Sequence, residues 1–356
     1  MQPVTFTSSV LAPHERGLEL GERFAAEIEQ TVAAYRRLFA ARADHPFDMD
    51  LWAERAWETI TSAAPSYAEE IRGIAEGARR PVRELAAVNA RTELLVAANP
   101  TGVTECSSVV SAPPGRPPFA VQTWDWYHPM SDTWFQWRIP HEDGRLVETV
   151  TEFGMLAKIG VNGYGVGVML NMLHHKNDAD RATQGTVGHP VHLLSRQILD
   201  EARTLEDAWT IARTPTSAST SLTVLDRSGA VATFELFPGG PGRLDAEDGL
   251  LVRTNHFVSP EGSDGCLAST ISDSSVIRRD KLLSAFAGGP PATPDDVLAA
   301  MTDHTTDAAG VGSICAHPDR SMNPVLWHRT LATVVLDVEK GRLDVRPDGP
   351  CGHRDA

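Results

Sequence analysis

One cysteine stands where its thiol could act as a nucleophile. Cys106 follows a turn-forming cluster, Asn99–Gly102, and it lies at the start of a β-type run, Ser107–Ser111. We expect this position to expose the thiol, which attacks carbonyl groups once a base removes its proton. A single cysteine is more often an inert core residue, so the surrounding sequence must decide its role.

Two kinds of polar residue are candidates to assist it. Asp125 lies nineteen residues further along, between Trp124 and Trp126. A carboxylate there is either partnered or costly, because burying an unpaired charge costs several kcal/mol. Asn255 follows the apolar run Leu250–Arg253, and Asn171 ends another run. An ordinary strand-end asparagine is the default interpretation of Asn255.

The elements that must position these residues change in type at Cys106. Residues 13–99 show helical periodicity, with apolar residues at spacings of three to six within 14–41. Ser66, with Glu69 three residues later, predicts a capping box. Pro81 predicts the opening of a further helix. The N-terminal part is therefore predicted to be helical.

Short β-type runs follow, interrupted by pairs of helices, which predicts an α+β layout without the βαβ repeats of dinucleotide-binding folds. The predicted strands are Ser107–Ser111, Pro118–Trp124, Trp134–Ile139, Leu146–Glu152, Val166–Met172, Leu222–Asp226, Val231–Phe237, Leu250–Arg253, Ser313–Ala316, Thr330–Val338 and Arg342–Val345, and the predicted helices among them are Pro190–Ala202, Leu205–Ala212, Ser272–Phe286 and Pro294–Met301.

Composition excludes several classes of function. The 356 residues are 42% apolar and carry a formal net charge of −15, with no long basic run, so we expect no nucleic-acid partner. No cationic leader precedes an apolar segment, and no eighteen apolar residues run together. These features predict a soluble cytoplasmic protein without a membrane partner. Its four widely spaced cysteines are expected to be reduced thiols.

Several short strings occur in a characteristic order: Glu70–Ala78, Asn89–Leu94, Glu105–Ser108, Gln122–Trp126, Lys158–Asn162, Leu170–Leu173, Thr254–Phe257 and Ser313–Cys315. In this order they resemble the peptidase-like family that includes fungal acyl-CoA:6-aminopenicillanic acid acyltransferase, a cysteine branch of the N-terminal-nucleophile hydrolases. The resemblance extends along most of the chain. It implies a four-layer αββα sandwich, with residues 1–105 as a helical pro-segment and residues 106–356 as the catalytic chain, in one integrated domain after cleavage.

The resemblance also implies a mechanism. The Cys106 thiol would attack the carbonyl of Glu105, an N-to-S acyl shift would give a thioester, and water would then divide the chain. The α-amino group that this frees has a pKa near 8, about half a unit below that of a thiol, so it can serve as the base for its own side chain. The protein is thus expected to be an autoproteolytic zymogen.

Roles for the polar candidates follow from the same resemblance. Asn255 matches an oxyanion-hole asparagine, and Asn171 resembles another asparagine used in bile-salt and penicillin V hydrolases. Each such donor contributes about 3 kcal/mol in comparable enzymes. Asp125 would orient the new α-ammonium group. Gln122 replaces an arginine of the bile-salt enzymes, which favours the acyltransferase branch.

Other positions are interpreted more plainly. Arg278 or Arg279 could supply a positive charge to the site or to substrate, although an exposed helix arginine is the default. Trp124 and Trp126 are expected in the core or a cleft wall, with acyl binding as a hypothesis. Leu326–Thr330 does not match the serine and arginine that the fungal enzyme has there, so penicillin synthesis itself is not predicted.

No metal is predicted from the sequence. The spacings among the histidines at 174, 175, 189 and 192 fit no ligand pair, and neither Cys266 nor Cys315 has the short paired spacing of a zinc motif. No cofactor is predicted either, apart from acyl-CoA as a co-substrate.

The predicted reaction is acyl transfer from a small-molecule amide or acyl-CoA, through a Cys106 thioester, to water or an amine. Whether water or an amine accepts the acyl group stays open. The first alternative is an N-acyl amide hydrolase of the bile-salt or acid-ceramidase type. The second is an unprocessed, non-catalytic binding protein. In the enzymatic alternatives the two cleaved chains are expected to remain associated.

Overall fold

The N-terminal part of the chain is helical, as its periodicity predicts. The computed structural model describes residues 3–102, 105–308 and 310–352. A short strand, β1 (Thr5–Thr7), precedes six helices: α1 (Pro13–Arg23), α2 (Ala25–Arg42), α3 (Met49–Ala63), α4 (Pro65–Gly77), α5 (Val82–Asn89) and α6 (Arg91–Ala98).

The capping box predicted at Ser66 is wrong. Helix α4 begins one residue earlier, with Pro65 in its first turn and Ala64 as the N-cap, and no side chain caps it. The fixed φ of proline suits the first helical position, so it can start the helix without a polar cap.

Helices α1 and α4 pack closely because glycines meet at their crossing. A Cβ atom built on Gly17 would lie 2.0 Å from the carbonyl oxygen of Glu70, and one on Gly73 would lie 2.0 Å from that of His14. Only glycine permits this approach of the two backbones. Gly73 lies in one of the strings that carry the family resemblance.

The rest of the chain forms two sheets with helices between their strands. In chain order the elements are β2 (Ser107–Ser111), β3 (Phe119–Tyr127), β4 (Trp134–Pro140), β5 (Leu146–Glu152), β6 (Ile159–Asn162), β7 (Val166–Met172), α7 (Lys176–Thr183), α8 (Val191–Glu201), α9 (Leu205–Ala212), β8 (Thr220–Asp226), β9 (Val231–Leu236), β10 (Gly242–Asp245), β11 (Leu250–Arg253), α10 (Pro260–Ser263), α11 (Ala268–Ile271), α12 (Ser274–Ala285), α13 (Pro294–Met301), β12 (His328–Asp337) and β13 (Arg342–Pro347).

The larger sheet has the order β1-β4-β5-β6-β7-β8-β9-β10 and the smaller one β11-β2-β3-β12-β13. Neighbouring strands are antiparallel except β1 and β4. Strands β2, β12 and β13 contact β5, β6 and β7 across the interface between the sheets. Helices α8 and α9 cover the larger sheet, and α12 and α13 cover the smaller. The predicted four-layer αββα architecture is confirmed.

The N-terminal helices share their core with the sheets. One continuous apolar cluster includes Leu20, Ile60 and Leu94 from the helices together with Trp124 and Val168 from the two sheets. Within the described residues, no helix has both the length and the apolar character needed to cross a membrane.

Buried ion pairs also join the helices to the rest of the chain. Glu70 of α4 accepts hydrogen bonds from Arg16 of α1 and from Arg196 of α8. Glu152, at the end of β5, accepts from Tyr35 of α2 and Arg91 of α6. All of these side chains are buried. The pro-segment predicted from the sequence thus contacts the sheets through its charges as well as its apolar residues.

The strand predicted at Ser313–Ala316 is wrong, because these residues form a loop. The carbonyl oxygen of Asp303 accepts hydrogen bonds from the backbone N–H groups of Ile314 and Cys315. These contacts replace the strand pairing that the sequence suggested.

Candidate active site

Cys106 lies immediately before β2, an interior strand of the smaller sheet. Its thiol donates to the carbonyl oxygen of Asp125 in β3, with an Sγ–O distance of 3.4 Å. Only 6% of the residue is exposed, so the prediction that the start of a strand exposes this thiol is wrong for the intact chain. The thiol instead faces strand β3, where the Asp125 carbonyl oxygen accepts its hydrogen bond.

A buried guanidinium faces the Glu105–Cys106 bond. Arg278 of α12 is fully buried, so the default of an exposed helix arginine is wrong. Its Nη1 lies 2.9 Å from the carbonyl oxygen of Glu105, 2.8 Å from that of Cys106 and 2.8 Å from Ser107 Oγ. The arginine therefore holds the backbone on both sides of this peptide bond.

The two candidate asparagines meet at the same place. Asn171 Nδ2 donates to the carbonyl oxygen of Cys106 at 3.1 Å, and Asn171 Oδ1 accepts from Ser108 Oγ. Asn255 Oδ1 accepts from Arg278 Nη2 at 3.0 Å, while its Nδ2 donates to the Met172 carbonyl oxygen at 2.9 Å. Strands β7 and β11 thus bring both amides to the region of Cys106.

Asp125 is buried, and its carboxylate makes no hydrogen bond of normal geometry with the described residues. It exposes 1% of its surface, and neither carboxylate oxygen accepts a close hydrogen bond from this part of the chain. Burial raises the pKa of this carboxyl to about 8, and the nearby Glu105 adds to the rise, although the Thr330 hydroxyl and Arg278 oppose it. A cation placed here would be strongly favoured.

The Cys106 thiol is held in its neutral form in the intact chain. Burial raises its pKa to about 11, and the Asp125 carboxylate contributes to the rise, while Lys158 and Arg278 act in the opposite direction. A thiol with this pKa needs a base before it can attack a carbonyl at neutral pH.

A second group of charges, which was not predicted from the sequence, lies beside the thiol. Lys158, just before β6, is buried with its Nζ 3.5 Å from the ring centroid of Trp124 and 3.6 Å from Glu152 Oε2. Burial and the neighbouring Arg91 lower the pKa of Lys158 well below its usual value. A lysine inside one of the family strings was the available signal, but nothing in the sequence showed its burial.

Trp124 and Trp126 belong to the core of this region. Lys158 covers the face of Trp124, and the Arg91 guanidinium lies 4.0 Å from the ring centroid of Trp126. Trp126 also donates through Nε1 to the Tyr35 hydroxyl. Both rings therefore contact cations of the protein itself, and their role in acyl binding stays a prediction.

A cavity of about 680 Å³ reaches the edge of the site. This is within the usual range for small-molecule sites. Its wall combines apolar and polar residues: Arg42, Glu105, Tyr127, Ser272, His304, Thr306, Gly310, Val311, Gly312, Ser313, Ala316, His317, Asp319, Met322, Leu326 and His328. Glu105, the residue that precedes Cys106 in the chain, therefore forms part of the cavity wall.

Comparison with known proteins gives a consistent family. The sequence model of the family described as acyl-coenzyme A:6-aminopenicillanic acid acyl-transferase matches residues 112–350, a segment that begins after Cys106. The 40 kDa form of acyl-coenzyme A:6-aminopenicillanic-acid-acyltransferase from Emericella nidulans is 28% identical over 231 residues. This alignment covers 63% of the chain and 61% of the relative, so it spans less than two thirds of the relative's length.

Two solved structures are also similar. Penicillin V acylase from Agrobacterium tumefaciens has a TM-score of 0.42 and 14% identity, over 68% of this chain and 83% of that one. A mutant form of conjugated bile acid hydrolase from Clostridium perfringens has a TM-score of 0.41 and 11% identity, over 70% of this chain and 95% of that one.

Proposed function

Because the chain belongs to the acyl-coenzyme A:6-aminopenicillanic acid acyl-transferase family of enzymes, we propose that it cuts itself before Cys106 and then transfers acyl groups through this cysteine. The observation that carries the proposal is the contact between Arg278 Nη1 and the carbonyl oxygen of Glu105, at 2.9 Å. A cation at this oxygen stabilises the negative charge that develops when a nucleophile attacks the carbonyl carbon.

In the proposed cleavage, Cys106 Sγ forms a bond to the Glu105 carbonyl carbon, and the thiol proton passes to the departing nitrogen of Cys106. The peptide C–N bond breaks and leaves a thioester. Water then adds to that thioester, so that Glu105 becomes a C-terminal carboxylate and Cys106 regains its thiol with a free α-amino group. Arg278 stabilises the oxyanion in both steps.

The state of Asp125 supports its proposed role after cleavage. Its carboxylate is buried and makes no hydrogen bond of normal geometry with the described residues of the intact chain, and β3 places its backbone beside Cys106. An α-ammonium group on Cys106 would supply the missing cation, and the carboxylate would in turn orient the amine. The neutral amine then takes the thiol proton when substrate is attacked.

The asparagines are proposed to act on two different oxygens. Asn171 holds the carbonyl oxygen of Cys106 and so fixes the backbone of the nucleophile. Asn255 has one amide N–H committed to Met172, and an amide group carries two. We assign the second N–H to the oxyanion of the substrate. Arg278 orients this amide through Asn255 Oδ1.

The 680 Å³ cavity is the proposed substrate site. Glu105 lines it, so release of the Glu105 carboxylate would open a path from the cavity to Cys106. The mixed wall suits a small-molecule amide or acyl donor with an apolar acyl part and a polar remainder. Acyl-CoA is the proposed co-substrate of the transferase reaction, and water is the acceptor in the hydrolase alternative.

Intact-mass spectrometry of freshly purified protein tests the cleavage. Wild-type protein should give two chains of about 11 and about 27 kDa, divided before Cys106. Cys106→Ala should give one uncut chain without activity, whereas the control Cys266→Ala should be cut normally. An uncut wild-type protein that turns over substrate, or cleavage that persists in Cys106→Ala, would refute the proposal.

Steady-state assays separate the two kinds of reaction. The cleaved protein is given N-acyl amides alone, or acyl-CoA together with amine acceptors. Formation of a new amide from acyl-CoA indicates the transferase, and release of free acid from amides without an acceptor indicates the hydrolase. Wild-type protein that is neither cut nor active would instead support the non-catalytic alternative.

A further inference from the structure

Four side chains beside the large cavity converge on one point. His304, Cys315, His317 and Cys351 each offer one donor atom, and these four atoms lie within 4.8 Å of one another. The two histidine Nε2 atoms are 3.0 Å apart and the two cysteine Sγ atoms 3.4 Å apart. His317 Nε2 is 3.8 Å from Cys315 Sγ and 3.6 Å from Cys351 Sγ. We propose that this cluster binds one Zn²⁺ ion.

Four of the six distances among these atoms fit tetrahedral zinc, and the two from His304 to the sulfurs are at most 4.8 Å. With Zn–S bonds of about 2.3 Å and Zn–N bonds of about 2.0 Å, a tetrahedron separates two sulfurs by about 3.8 Å, two nitrogens by about 3.3 Å and a sulfur from a nitrogen by about 3.5 Å. The four measured distances agree with these values to within about 0.4 Å. Two thiolates and two imidazoles are also a donor set that zinc prefers.

Hydrogen bonding alone accounts poorly for the cluster. His317 Nε2 lies close to three other donor atoms at once, but an imidazole nitrogen carries either one proton or one lone pair. A cation at the centre contacts all four atoms. A Cys315–Cys351 disulfide would need the sulfurs about 2.05 Å apart and would give the imidazoles no role.

The surrounding fold positions the ligands. The Asp303 carbonyl oxygen accepts from the backbone N–H of Cys315 at 3.1 Å, which places Cys315 next to the segment that carries His304. Lys281 Nζ donates to Asp303 Oδ1 and to the Gly312 carbonyl oxygen, both at 2.8 Å. Such a frame lowers the cost of assembling a metal site, because the ligands are already close together.

The segment before Cys351 is fixed in a similar way. Arg329 of β12 pairs with Asp348 through a 2.7 Å contact, and Thr333 Oγ1 donates to the Asp348 carbonyl oxygen at 3.0 Å. The chain therefore leaves β13 in a defined direction toward Cys315.

The proposed zinc is structural. Four protein ligands complete its coordination and leave no position for substrate. Binding releases two thiol protons, so that the two thiolates neutralise the charge of the ion. His304 and His317 line the cavity. The backbone N–H of Ala316, next to His317, donates to Thr330 Oγ1. Thr330 of β12 is in turn the strand partner of Asp125 in β3. The metal would therefore hold one wall of the cavity against the strand that borders the active site.

Metal analysis of untagged protein, purified under reducing conditions, tests this proposal. We expect about one zinc per chain in wild-type protein and in the control Cys266→Ser, with at least about a tenfold lower content in His304→Ala and Cys351→Ser at equal chelator concentration. X-ray absorption at the zinc edge should show two sulfur and two nitrogen neighbours. His304 is exposed, so His304→Ala should remain folded by circular dichroism.

Three results would each overturn the zinc site. The first is wild-type protein that holds no zinc after incubation with excess Zn²⁺ and dialysis, and the second is an unchanged zinc content in both ligand variants. The third is a protein mass about 2 Da lower in the reduced preparation, which would show a Cys315–Cys351 disulfide. All four ligands follow Cys106 in the chain, so the metal content can be measured whether or not cleavage occurs. Failure of this proposal is thereby distinguishable from failure of the proposed function.

Discussion

Arg278 Nη1 lies 2.9 Å from the carbonyl oxygen of Glu105, although 172 residues separate Arg278 from Cys106, the other residue of that peptide bond. The guanidinium is fully buried and also contacts Asn255, which orders the amide beside it. Because a buried cation interacts strongly with a developing oxyanion, this contact makes Arg278 the residue most directly open to test.

Replacing Arg278 should stop or greatly slow the proposed cleavage before Cys106. We expect Arg278→Ala to reduce the rate of cleavage about 100-fold or more, because the oxyanion loses its donor. Arg278→Lys keeps the charge without the forked geometry and should give an intermediate rate. The rate is measured as conversion of precursor to two chains on denaturing gels.

The adjacent Arg279→Ala is the matched control and should be cut at the wild-type rate. Circular dichroism of each variant separates a chemical defect from misfolding. A folded Arg278→Ala protein that is cut as fast as wild type would remove Arg278 from the mechanism.

Asp125 should make the stability of the uncut chain depend on pH. Burial raises its pKa to about 8, whereas an unfolded aspartate titrates near 4. Between these values the folded chain holds a proton that the unfolded chain has lost, so the free energy of unfolding falls as pH rises from about 4 to about 8. Asparagine cannot ionise, so Asp125→Asn should remove the part of this fall in the free energy of unfolding that Asp125 causes.

The free energy of unfolding is measured by urea unfolding in a Cys106→Ala background, which keeps the chain intact. At about pH 8.5 the Asp125→Asn variant should be more stable than its parent by about 1 to 3 kcal/mol, with a much smaller difference near pH 5. Burial also raises the pKa values of Glu93 and Asp178 to about 7, so only the difference between variants isolates Asp125. The exposed Asp180→Asn serves as control. Equal pH profiles for Asp125→Asn and its parent would contradict the assignment.

The close crossing of α1 and α4 predicts a large cost for a single methyl group. Gly73→Ala would place Cβ 2.0 Å from the His14 carbonyl oxygen, so the helices must separate. We expect a loss of about 3 kcal/mol in the free energy of unfolding. Gly288→Ala meets no atom within 4 Å and should change stability by no more than about 0.5 kcal/mol. Thermal or urea unfolding of both variants provides the measurement, and similar stabilities would exclude the tight crossing.

Much of the framework was predictable because its elements have local signals. Ser107–Ser111, Leu146–Glu152 and Leu205–Ala212 were predicted with the bounds that the structure has. Apolar runs and helical periodicity carry this information without any knowledge of distant contacts. The short strands Ile159–Asn162 and Gly242–Asp245 were missed, since four residues give too little pattern to recognise.

The site was predictable only in part, because burial and long-range pairing have no local signal. Cys106, Asp125, Asn171 and Asn255 came from the family resemblance, and the fold brings them together. Arg278 was expected at the surface because an arginine within a helix usually projects into water. The four proposed zinc ligands come from three separate segments, and within them only Cys315 and His317 are close in sequence.

The ion pairs between the N-terminal helices and the sheets predict that the two chains produced by the proposed cleavage stay together. Glu152 accepts from Tyr35 and Arg91, both in residues 1–105, and lies 3.6 Å from Lys158 Nζ. Although burial alone would raise it, the pKa of Glu152 is lowered by Arg91 and Lys158, so the carboxylate is charged at neutral pH. In native size-exclusion chromatography both chains of the wild-type protein should elute as one species.

Glu152→Gln removes the carboxylate that pairs with the buried Arg91 guanidinium and lies beside Lys158 Nζ. The variant should lose about 3 to 5 kcal/mol of stability, and its smaller chain should dissociate at lower urea concentrations. The control Glu69→Gln disrupts an exposed pair with Arg72, which is worth no more than about 1 kcal/mol. If the wild-type chains separate in native buffer, the predicted association is wrong. If Glu152→Gln is as stable as Glu69→Gln, apolar packing and not this buried pair holds the N-terminal helices to the sheets.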